Sequence, residues 1–111
     1  MDAETKRAAV RAYKEREVPA GIYRILCPAT GKQWVGRAPD LGTIRNRHWS
    51  GLRFGGCPIR SLSSAWAEHG EAAFLFEELE RLPADTSIMS LPRLLKARHE
   101  HWVEALGAEA I

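Results

Sequence analysis

The chain has 111 residues, enough for one domain and too few for two separately cored ones. Apolar residues make up 45% of it and charged residues 27%, an ordinary globular composition that excludes a disordered or collagen-like chain. The net charge of +2 is, taken whole, too mild to announce a nucleic-acid or membrane partner.

Residues 3–16 are rich in Ala, Lys, Arg and Glu and predict a helix, with Ala9, Val10 and Tyr13 as a narrow apolar stripe ending before Pro19. GIYRILC at 21–27 and QWVGR at 33–37 predict two short strands, joined by the turn-forming PATGK at 28–32 into a hairpin. Asp40 is a good N-cap for a helix over residues 41–54, with Leu41, Ile44, His48 and Leu52 on one face and Gly55 and Gly56 as its stop. Pro58 suits the first turn of another helix, which turns Leu62, Ala65 and Trp66 inward and ends at Gly70. FLFEELE at 74–80 predicts a third strand. After a loop at 83–87, a last helix runs from about residue 90 to 106, with Pro92 in its first turn and Gly107 as its stop. The order implies an α+β domain over residues 20–111: a three-stranded antiparallel sheet flanked by helices, preceded by a helical extension at 1–19.

The charge is segregated. Residues 20–62 carry seven basic side chains (Arg24, Lys32, Arg37, Arg45, Arg47, Arg53, Arg60) against Asp40, a net of +6. Residues 63–111 carry four basic and nine acidic ones, a net of −5. The basic block is either a solvated surface or one that faces an anion. Cys27 and Cys57 form no CxxC motif and fit a reducing compartment. The start of the sequence has no apolar signal region and no run of 18 apolar residues occurs, so a cytoplasmic protein with no membrane partner is expected.

Gly21-Ile22-Tyr23 on the first strand, followed by Trp34-Val35-Gly36 on the second, resembles the signature of the GIY-YIG nuclease superfamily. The turn at 30–32, the Pro39-Asp40-Leu41 step into the helix and the run LSSAWAEHGEAAFLFEELE at 62–80 resemble that family's central segment. The resemblance spans residues 20–106. It implies a three-stranded antiparallel sheet with helices and hydrolysis of nucleic-acid phosphodiester bonds, DNA before RNA, with Mg²⁺ or Mn²⁺. A phosphodiester is anionic, so cutting it takes positive charge at its oxygens and a water relieved of a proton.

Carried over by position, the resemblance implies Tyr23 near the attacking water, His48 assisting proton transfer and an arginine on the same helix at the phosphate. The in-register arginine position holds Ile44. Arg45, three residues before His48 and near its face, is the first substitute and Arg47 the second. Lys32, Arg37, Arg53 and Arg60 complete the expected nucleic-acid-binding set. The second tyrosine is Trp34, whose indole can donate a hydrogen bond but cannot shuttle a proton. The late glutamate's position holds His99, which leaves Glu100, one residue on, as the expected metal ligand. Two other readings stand beside the nuclease: a decayed domain that binds nucleic acid without cutting, and a protein-interaction domain presenting its acidic third. Nothing in the sequence assigns an oligomeric state.

Overall fold

Alternation along the first hairpin sorts its side chains onto two buried faces, and the rest of the domain is built on that division. The computed structural model describes residues 19–111; the helix expected at 3–16 lies outside them. Strand β1 (Gly21–Cys27) is central, pairing antiparallel with β2 (Lys32–Ala38) on one side and β3 (Leu75–Arg81) on the other. The hairpin turn closes with the backbone N–H groups of Thr30 and Gly31 both donating to Cys27 O.

The sheet has four strands, in the order β3-β1-β2-β4, and is mixed. This corrects the three-stranded antiparallel expectation. β4 (Glu109–Ala110) runs parallel to β2 opposite Trp34 and Val35, and Ile111 N–H donates to Val35 O at 3.0 Å. The cause lies at the end of the last helix. Gly107 sits at φ 62°, a left-handed stop, and Ala108 N–H reaches back to Val103 O. The chain is thereby turned along the outer edge of β2, whose unpaired backbone groups accept a partner.

Helix α1 (Leu41–Arg53) is capped as expected, with Asp40 Oδ1 accepting from Gly42 N–H at 2.8 Å. Helix α2 (Arg60–His69) begins later than expected. Ile59 is its N-cap, and Pro58 precedes the helix rather than filling its first turn. Both helices cover one face of the sheet over a core of Tyr23, Ile25, Cys27, Trp34, Trp49, Leu62 and Phe74. Trp49, absent from the expected face of α1, is buried there and meets Trp66 and Phe76 edge-on. Helix α3 (Leu91–Leu106) covers the other face, packing Leu95 against Ile22, Val35 and Leu82. The result is three layers, helix, sheet and helix, with no described helix long and apolar enough to cross a membrane.

Two glycines are fixed by close approach. β3 carries a bulge, so Ile22 opposes Glu80 while Tyr23 opposes Glu78. The bulged backbone presses onto Gly21, where a Cβ would fall 2.0 Å from Glu80 O. On the neighbouring strand, a Cβ at Gly36 would fall 2.3 Å from the Tyr23 hydroxyl. The glycines of both tripeptides are therefore demanded by packing.

Candidate functional site

Tyr23 projects from β1 into the space under α1. Its ring stacks on Phe76 at 5.2 Å between centroids and lies across Gly36. Only 3% of the residue is exposed. Its hydroxyl is 2.6 Å from His48 Nε2. α1 can bring His48 there because its start is tied down, Leu41 N–H donating to Pro19 O, and because Trp49 anchors the next position in the core.

Burial sets the protonation of this pair. It pushes the Tyr23 phenol well above the usual tyrosine range, against a smaller opposing pull from Arg47. It pulls the His48 imidazole below the usual histidine range, and the Arg47 charge adds to that shift. At neutral pH the phenol keeps its proton and the imidazole is neutral, so Tyr23 O–H donates and Nε2 accepts. A water held at the phenol oxygen could give up a proton to Tyr23 as Tyr23 passes its own to His48.

Of the two candidate arginines, Arg47 is the one whose charge reaches the pair, and it lines a cavity together with His48. The Arg45 guanidinium stands 5.6 Å over the ring of Trp49, four residues on, a cation–π contact. The other basic candidates are dispersed. Lys32 is exposed at the far end of the hairpin, four strand positions from Gly36 and hence about 13 Å along β2. Arg37 alternates with Gly36 and so belongs to the α3 face. Arg60 opens α2 and is exposed. Arg53 is held by both carboxylate oxygens of Glu71, at 2.6 and 2.9 Å, which neutralises it. Arg24 is likewise paired with Glu77. Part of the +6 segment is thus cancelled by the acidic third of the same chain.

The positions that depart from the family signature are all occupied by packing. Trp34 is 1% exposed, and its indole N–H donates to Ser61 Oγ at 3.0 Å, while Ser61 O–H donates to Glu109. Ile44 packs against the core beneath α1. His99 is 8% exposed, and its Nε2–H donates to Val35 O at 2.8 Å, fastening α3 to β2. Glu100 is exposed and turned about 100° from His99 around the helix. Among the described residues no three His, Cys, Asp or Glu side chains gather as a metal site. The residues at the late-helix position therefore do not fit an ion held against the Tyr23–His48 pair.

One element escaped the sequence reading: the cavity beside His48, walled by α1 and the loop after it. Gly51, an isolated glycine inside a helix, was the available signal, since such a glycine weakens the helix and usually serves packing or function.

A bulged antiparallel core sheet between helices, with a tyrosine of its central strand bonded to a histidine of the first helix, defines a GIY-YIG-like domain. Two solved structures agree. The chain is similar to the catalytic domain of the homing endonuclease I-TevI, at 26% identity and a TM-score of 0.69, over 83% of this chain and 97% of that one. It is similar, at 27% identity and the same TM-score, to a glutamate-to-alanine mutant of the catalytic domain of intron endonuclease I-TevI, over 80% of this chain and 84% of that one. No family model matches the chain, and no curated protein matches it. The chain has the GIY-YIG-like fold that its two tripeptides implied.

Proposed function

We propose that the chain is an endonuclease-like domain that hydrolyses phosphodiester bonds of nucleic acid, DNA in preference to RNA. The observation that carries this reading is the 2.6 Å bond between Tyr23 and a neutral His48, with Arg47 beside them. The likeness to the I-TevI catalytic domain supports it. Arg47 draws the phosphate to the mouth of the pair and offsets charge gained by its oxygens as water attacks. Tyr23 orients that water and takes its proton while passing its own to His48, so the phenol never becomes a phenolate and the charge appears as the His48 imidazolium. As the water oxygen bonds to phosphorus, the P–O bond to the leaving strand breaks and that oxygen is protonated from solvent. The resemblance also implies Mg²⁺ or Mn²⁺; Glu100, exposed and turned away from His99 around α3, does not fit an ion at the pair, and the steps above use none.

The test is nicking of supercoiled plasmid by the full chain, with Mg²⁺, with Mn²⁺ and with chelator. Wild type should nick, and Tyr23→Phe and His48→Ala should lose most of that activity. Nicking undiminished in both variants refutes the reading. Loss in Glu100→Ala together with loss in chelator would establish the divalent ion.

The second reading, binding without cutting, is favoured by a specific observation: Trp34, Ile44 and His99 each serve packing where the family has a reactive group. It predicts no nicking under any condition but DNA binding that weakens steeply with salt.

A further inference from the structure

Gly51 lies in the last turns of α1, and the following loop folds back over it, with Gly56 N–H donating to Gly51 O at 2.7 Å. Between helix and loop is a cavity of about 340 Å³. Small-molecule sites begin near roughly 300 Å³, so the space suits one compact unit and not a length of duplex. Arg47 and His48 form one wall; Cys57, Pro58 and Ile59 form much of the other. His48 is common to both sites, since the imidazole that lines the cavity also bonds Tyr23. In the turn between the two walls stands Phe54, 84% exposed.

We propose that this cavity is a nucleoside subsite: it takes one unpaired base, with its sugar, from the DNA strand whose phosphate lies at Tyr23 and His48. The proposal rests on the function proposed above and adds the class of substrate. A base presents two apolar faces and a polar edge. The apolar atoms of Cys57, Pro58 and Ile59 match the faces, and the Arg47 and His48 wall supplies hydrogen bonds and positive charge for the edge and the flanking phosphate. A base stacked in a duplex cannot enter a cavity; it has to be extruded, which costs least where it is mismatched, bulged or single-stranded. Phe54 then offers its exposed ring to the neighbouring base, the common role of an aromatic in a basic surface that holds unpaired strands.

The experiment compares binding of the full chain to three labelled DNAs at one salt concentration: a perfect duplex, the same duplex with one bulged nucleotide, and a single strand. A 2-aminopurine at the bulge reports insertion directly through its fluorescence. The bulged duplex should bind about tenfold tighter than the perfect one, because stacking of one base is worth about that factor. Gly51→Leu grows a side chain into the cavity from a position where a Cβ meets Cys57 only at 3.6 Å or beyond. It should bring the ratio of bulged to perfect affinity close to one. Phe54→Ala, at an exposed position on which folding does not depend, should lower the same ratio and decides the matter if Gly51→Leu fails to fold. A wild-type ratio near one, or a ratio that neither variant moves, overturns the subsite while leaving the nuclease reading standing. Absence of binding to any DNA overturns both.

Discussion

Gly36→Ala puts the packing argument at its most exposed. A methyl group at this position would lie 2.3 Å from the Tyr23 hydroxyl oxygen, 2.4 Å from Cζ and 2.8 Å from Cε1. All three atoms belong to one rigid ring, held from the other side by Phe76 and at its tip by His48. There is no flexible end to swing aside. Gly36 is not in the left-handed region, so alanine suits the backbone and gains about 0.5–1 kcal/mol over glycine in a strand. Against this, overpacking a core costs about 1–3 kcal/mol. Displacing the phenol also strands a buried polar group, for another loss of about 1–3 kcal/mol. The net cost is about 1–5 kcal/mol, which in a domain of this size lowers Tm by roughly 4 °C or more. Thermal and urea unfolding followed by tryptophan fluorescence would measure it. A double-mutant cycle makes the test specific. In a Tyr23→Ala background the ring is gone and the added methyl has room, so Gly36→Ala should cost almost nothing there, a coupling of about 1 kcal/mol or more. Equal cost in both backgrounds, or a single variant that melts with wild type, would refute the reasoning.

Three further outcomes follow from the same structure. Because the folded-state pKa of His48 lies below its ordinary value, the unfolded chain binds that proton more readily, so stability should fall as pH drops below the usual histidine range. An NMR titration would place His48 on the acid side of the usual histidine range, and His48→Gln should remove part of the pH slope. The salt dependence of DNA binding should fall by about one unit of log–log slope in Arg47→Ala, but hardly change in Arg53→Ala, since Glu71 already neutralises Arg53. His99→Glu replaces a buried donor to Val35 O with an acceptor and should destabilise the fold by about 1–3 kcal/mol, read by urea unfolding.

Local chemistry made most of the fold legible. The hairpin showed in its β-branched and aromatic residues around a Pro/Gly turn, α1 in Asp40, and the end of α3 in Gly107. What did not show depends on contacts between distant segments. β4 is two residues long, too short for any periodicity, and exists because Gly107 aims it at an open strand edge. Pro58 looked like a helix start, but the loop that carries it is set by Gly56 closing onto Gly51. At the site, Tyr23 and His48 were identified by position, and the structure brings them within hydrogen-bonding distance. Spacing favoured Arg45; the structure sets its guanidinium over Trp49, while the charge that acts on Tyr23 and His48 is that of Arg47. His99 stood at the position read for the glutamate, yet its bond to Val35 O depends on where α3 crosses β2, which no local pattern encodes.

The contact between the Tyr23 ring and Gly36 joins the two halves of the signature into a single steric object. The second strand's glycine is the floor on which the first strand's tyrosine rests, and it recognises that ring by shape, indifferent to whether the ring ever moves a proton. A chain can thus keep both tripeptide glycines under the demand of folding alone. The same indifference makes phenylalanine at position 23 a clean probe: it preserves the shape that the floor was built for and removes only the oxygen.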